Sequence, residues 1–84
     1  MSNYTYILFS EKLNKFYVGS TTDLDRRLIE HNRGKEKFTS LGVPWILVYK
    51  ETFELLIDAR KSERHIKKQK SRIYIENLIK NSAG

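Results

Sequence analysis

Five side chains in this 84-residue sequence carry groups that could act on a phosphodiester: the phenols of Tyr6 and Tyr17, the guanidinium of Arg27, the imidazole of His31 and the carboxylate of Glu63. A carboxylate can hold a divalent cation, which stabilises charge developing on a phosphate and its leaving oxygen, while an arginine clamps a phosphate oxygen. A phenol or imidazole can take a proton from water once a nearby cation lowers its pKa. Each group also has a plainer reading. Tyrosines on strands commonly serve as amphipathic packing residues. A histidine on a helix edge commonly hydrogen-bonds at the surface, and Arg27 could simply pair with Glu30. Glu63 resists the plain reading most, because a pair with Lys67 would not require a place on an apolar stripe.

Three of these residues sit on one stretch, Phe16 to Asn32, reading FYVGSTTDLDRRLIEHN. Phe16, Tyr17 and Val18 suit a pleated, half-buried surface, so they read as a strand that Gly19 ends. Ser20, Thr21, Thr22 and Asp23 can bond the orphan N–H groups of a helix start, and Thr22 with Asp25 resembles a capping box. On the helix that follows, Leu24 and Leu28 share a face, with Arg27 and His31 at its edge, one turn apart.

The other elements bring the remaining groups towards this stretch. Tyr4 to Phe9 is a first strand in which neither face is plainly polar, so both faces can be covered. Ser10 to Lys15 connects it to the second strand, with Asn14 able to take the positive φ of a hairpin. The second strand then returns antiparallel, and Tyr6 and Tyr17 can lie side by side on one face. Asn32, Arg33 and Gly34 stop the first helix. Lys35 to Pro44 shows no period and reads as a loop of a length that is often functional. Trp45 to Thr52 is a third strand of imperfect alternation, behind Pro44. The second helix begins between Thr52 and Leu56 and runs to about Lys70. Leu55, Leu56, Ser62, Glu63 and Ile66 lie within about 60° of Ala59 on it, so Glu63 points into the apolar stripe. A carboxylate there needs a pair, hydrogen bonds or a cation. Ser71 can cap a last helix carrying Ile75, Leu78 and Ile79.

Length allows one domain across residues 1–84, with Asn81 to Gly84 expected to fray. Such a chain buries only about 60–65% of its unfolded surface. There is no cysteine, so disulfides and thiolate metal sites are excluded. No stretch has the length of a membrane span and no signal-peptide pattern opens the chain, so a cytoplasmic location is expected. Sixteen Lys and Arg against ten Asp and Glu give a net charge of +6. The excess gathers between Arg60 and Arg72, where Glu63 is the one acid. A basic block of this kind suits a polyanion such as a phosphate backbone, and is also common on proteins that bind no nucleic acid.

Taken together, two motifs and their sequel carry a family resemblance. Tyr4-Thr5-Tyr6 is followed after ten intervening residues by Tyr17-Val18-Gly19, then by Arg27, His31 and Asn32 in RRLIEHN, then by Glu63 in ARKSERHIKK. This pattern resembles the GIY-YIG endonuclease superfamily, most closely its small single-domain members, from Tyr4 to about Lys70. The resemblance implies an α+β fold, a three-stranded antiparallel sheet flanked by helices in the order ββαβαα, that cuts DNA with one divalent cation, magnesium or manganese. It implies that Tyr6 and Tyr17 line the site and that one of them activates water. It makes Arg27 the group that stabilises the phosphate, His31 its helix neighbour in the site, and Glu63 the metal ligand. Tyr4 and Thr5 stand where the family has glycine and isoleucine, and Val18 where it has isoleucine. The asparagine that many members carry beyond the glutamate has its nearest counterpart in Asn77.

The expectation is therefore a metal-dependent DNA endonuclease or nickase whose phenols, Arg27 and Glu63 converge on one open concavity, with His31 helping in proton transfer or phosphate contact. Lys35, Lys37, Lys61, Arg64, Lys67, Lys68, Lys70 and Arg72 would track the backbone without reading bases. Branched, flapped or single-stranded DNA suits so small a surface better than a base sequence. The alternatives are a non-catalytic nucleic-acid-binding module of the same fold and, behind it, a protein-interaction domain.

Overall fold

The computed structural model describes residues 2–34 and 37–82. Its elements are β1 (Asn3–Ser10), β2 (Lys15–Thr21), α1 (Leu24–Asn32), a 3-10 turn (Thr39–Gly42), β3 (Trp45–Phe53), α2 (Leu56–Gln69) and α3 (Arg72–Ser82). The order ββαβαα and the three-stranded antiparallel sheet agree with the sequence reading. β1 lies in the centre, between β2 and β3. Among the described residues no helix is long and apolar enough to cross a membrane.

The near-continuous apolar run of β1 follows from its central place, since it is covered on both faces. Tyr6 and Leu8 pack with Leu24 and Trp45 on the α1 side, and Ile7 packs with Val18 and Ile66 on the α2 side. Thr5 is polar yet fully buried because its hydroxyl donates to the Ala59 carbonyl at 2.6 Å, which ties β1 to α2. The imperfect alternation of the third strand has a definite cause. Opposite β1, the register steps from Ile7↔Tyr49 to Leu8↔Leu47, so Val48 is one residue too many on β3. That bulge resets the phase and lets Trp45 and Leu47 face the α1 side.

Several local expectations are corrected. Gly19 does not end β2, which runs on to Thr21. Its missing Cβ instead makes room for Tyr6, whose hydroxyl lies 2.5 Å from where that atom would stand. The cap of α1 is Asp23, whose Oδ1 accepts the Arg26 N–H at 3.1 Å, in place of a box between Thr22 and Asp25. Leu55 is the exposed cap residue of α2 and not part of its buried stripe, which holds Ala59 and Ile66. The loop after α1 contains the 3-10 turn. Asn81 and Ser82 continue α3, while residues 83 and 84 lie outside the described residues. The hairpin turn, by contrast, places Asn14 at φ 53, and Gly34 takes φ 75 after α1. Ser71 caps α3 by accepting the Tyr74 N–H at 3.1 Å.

Candidate active site

On the α1 face of the sheet, Tyr6 and Tyr17 come from adjacent strands in diagonal register, with Tyr6 opposite Gly19 and Tyr17 opposite Leu8. Their ring centroids are 6.4 Å apart. His31 reaches up between them from the last turn of α1. Its ring edge meets Tyr17 at a centroid distance of 4.8 Å, and its Nε2 lies 3.0 Å from the Tyr6 hydroxyl. The helix edge expected for His31 is corrected here, because the residue is fully buried. Burial is tolerated because its second nitrogen, Nδ1, lies 3.1 Å from the Thr39 hydroxyl.

The two phenols are not equivalent. Tyr6 is 1% exposed, sealed beneath β2 at Gly19, whereas Tyr17 is half-buried and has an open side. Tyr17 is thus the phenol that can be reached from outside, while the Tyr6 hydroxyl is held against His31.

Thr39 is a member of this group that the sequence reading missed. It is fully buried, and its carbonyl accepts the Trp45 Nε1–H at 2.6 Å. Asn32 completes the anchorage by donating to the Trp45 carbonyl at 3.1 Å and accepting the Trp45 N–H at 2.6 Å. The aperiodic loop is thus stitched to both α1 and β3. Its length was a signal of function, but nothing in its sequence singled out Thr39.

Arg27 lies one turn before His31, its side chain 30% exposed and its Nη1 3.5 Å from Glu30 Oε1. The expected Arg27–Glu30 contact is present but loose, and such a partly exposed pair is worth at most about 1 kcal/mol.

Glu63 comes from α2, on the other face of the sheet. Its Oε1 accepts the Ser20 hydroxyl at 2.6 Å, and its Oε2 pairs with Lys67 Nζ at 2.6 Å. The carboxylate keeps 21% of its side chain open to solvent and is not closed off. Ser20, the second missed residue, was read as part of the helix start. Its parity with Val18 was the available signal, since alternation points both side chains towards α2. Tyr17 and Ser20 thus point to opposite sides of the edge strand β2, so the phenols and the carboxylate meet around the sheet edge instead of within one concavity.

The atoms here that could ligate a cation are oxygens, two from the carboxylate and one from Ser20, with the Lys67 ammonium beside one of them. No group of three His, Cys, Asp or Glu gathers anywhere among the described residues. A hard cation that takes one or two carboxylates and completes its shell with water and phosphate fits this set, as magnesium and manganese do.

The basic residues divide by face. Lys61, Arg64 and Lys68 are exposed and, at helical spacing, form one row on the side of α2 away from Ala59. Lys67 stands beside Glu63. Lys70, at φ 47, caps the C-terminus of α2, and Lys37 is exposed before the 3-10 turn. Arg72 is engaged within the fold, donating to Asn14 O at 2.7 Å and Asn14 Oδ1 at 2.8 Å and lying 5.0 Å over the Phe16 ring. Lys35 lies outside the described residues. Asn77 is exposed on α3.

The family model of the GIY-YIG catalytic domain matches residues 2–78. A UPF0213 protein of Enterococcus faecalis is 41% identical over 70 residues, covering 80% of this chain and 78% of the relative. UPF0213 protein YazA of Bacillus subtilis is 34% identical over 79 residues, covering 89% and 80%. The solution NMR structure of a UPF0213 protein from Bacillus halodurans superposes with a TM-score of 0.63 at 35% identity, covering 100% of this chain and 88% of that one. GIY-YIG proteins are generally endonucleases and typically use divalent metals. The family model spans nearly the whole chain and the relatives and the solved structure agree with it, so the chain belongs to the GIY-YIG family.

Proposed function

We propose that the chain is a divalent-metal-dependent endonuclease that hydrolyses DNA phosphodiester bonds and selects its substrate by shape. The observation that supports this most is the arrangement around β2, where an open phenol on one side and a strand-tethered carboxylate on the other flank a single sheet edge.

Glu63 and Ser20 are the residues that would hold the cation. The chemistry such a cation supplies when bound is neutralisation of the charge that builds on the phosphate and the leaving oxygen. Tyr17 is the general base that would take the proton of the attacking water. Arg27, one turn before His31 on α1, is the guanidinium that would meet a phosphate oxygen, where it makes charge-assisted hydrogen bonds. His31 is too deeply buried to touch a phosphate. It holds Tyr6 by a hydrogen bond and Tyr17 by an edge contact, and so fixes the phenols that line the site. Lys67 keeps Glu63 paired at rest. An ion pair with a half-exposed lysine costs little to break, so it yields the second carboxylate oxygen readily. Lys61, Arg64 and Lys68 follow the backbone without reading bases.

The test incubates the purified protein with labelled flap, branched and single-stranded DNA in magnesium, in manganese and in chelator, beside Glu63→Ala. Cleavage with either metal, abolished by chelator and reduced by about two to three orders of magnitude in the variant, is the expected result. Cleavage that survives both chelator and substitution would remove the metal mechanism. Binding without cleavage in either metal would make the chain a nucleic-acid-binding module of this fold.

A further inference from the structure

Phe38 stands immediately before Thr39 and is 61% exposed. The chain around it is firmly held. Thr39 is buried against His31 and Trp45, and the Ser40 hydroxyl donates to the Lys37 carbonyl at 2.9 Å. An anchored segment of this kind presents an aromatic ring to solvent at an entropic cost already met in folding. The ring is not placed at random. Its centroid is 6.3 Å from that of Tyr17, the open phenol of the candidate site, and the planes are inclined by 38°. The exposed Lys37 lies next to it in the chain.

A fixed aromatic face with a cation beside it is the combination that binds single-stranded nucleic acid, where bases stack on rings and lysines follow the phosphates. Bases within a duplex are already stacked on one another and cannot use such a face. We propose that Phe38 is a stacking platform for one unpaired nucleotide next to the phosphate that the site cleaves, so that the enzyme recognises a junction or flap through the base it leaves unstacked. This rests on the nuclease reading and narrows its substrate to DNA with an unpaired nucleotide at the point of cleavage. Leu41, 65% exposed one turn further on, offers apolar area without a π face. It serves as the internal control.

The experiment measures Kd by fluorescence anisotropy for a labelled flap DNA and for the matching full duplex, in chelator so that nothing is cut. The proteins compared are the unsubstituted chain, Phe38→Ala, Phe38→Leu, Phe38→Tyr and Leu41→Ala. Expected are a loss of about tenfold in flap affinity for Phe38→Ala and Phe38→Leu, retention in Phe38→Tyr and Leu41→Ala, and duplex affinity unchanged throughout. Flap affinity that is unaffected in Phe38→Ala, or restored by leucine as well as by tyrosine, would overturn the stacking role and leave the nuclease reading standing. An equal loss on flap and duplex would also overturn it. If the unsubstituted chain binds neither DNA, the nuclease reading itself falls and takes the platform with it.

Discussion

A fully buried imidazole requires a partner for each nitrogen, and for His31 these come from opposite ends of the site, among them Tyr6 on β1 and Thr39 in the loop after α1. Replacing it by a somewhat larger apolar ring removes both of these hydrogen bonds. His31→Phe should lower the free energy of unfolding by about 1–3 kcal/mol, read from urea unfolding. An unchanged midpoint would show that the two contacts hold nothing together. The depth of His31 was partly legible, since seven residues of helix place it only about 20° from Leu24. The sequence withheld its partner. Thr39 lies in a segment without periodicity, so no pattern could say that a hydroxyl would arrive there. The shared face of Tyr6 and Tyr17 needed only strand alternation and a hairpin at Asn14, and both were visible. Which phenol stays open was not, because that depends on Gly19 sitting directly over Tyr6.

At the scale of elements, α3 shows how a basic residue can be misread when only its charge is known. The spacing of its apolar residues and its cap at Ser71 were readable, but the role of Arg72 was not. Its guanidinium binds the carbonyl and side-chain oxygens of Asn14 and covers Phe16, pinning α3 to the β1–β2 hairpin across 58 positions of sequence. Two charge-assisted bonds and an exposed cation–π contact should make Arg72→Ala less stable by about 0.5–1.5 kcal/mol. Thermal unfolding, together with faster amide exchange in α3, would register the change. A variant with wild-type stability would return Arg72 to the pool of DNA-binding cations. The same limit applied to β3, where alternation failed because Val48 is an extra residue, and a bulge leaves no mark in composition.

For the whole molecule, the net charge of +6 is less informative than its distribution. Lys61, Arg64 and Lys68 form an outward row that takes no part in the packing of α2, whereas Arg72 is spent on structure. Each Lys or Arg of the row changed to Gln should reduce the slope of log affinity against log salt by about 0.7–0.9 while leaving the unfolding temperature in place. An unchanged slope would mean that the phosphates run elsewhere on the surface. The site itself depends on how the sheet is assembled. Tyr17 and Ser20 lie on one strand and face opposite ways, so sliding β2 by a single residue would exchange their sides and dismantle both halves of the site at once. Gly19 guards against that error. A Cβ at position 19 would stand 2.5 Å from the Tyr6 hydroxyl oxygen and 2.6 Å from Cζ, so the register that sets Gly19 opposite Tyr6 is the one that leaves the buried phenol its place. The glycine closing the second triplet thus couples the register of β2 to the placing of the Tyr6 ring, so one small residue on the edge strand sets which side of the sheet Tyr17 and Ser20 each face.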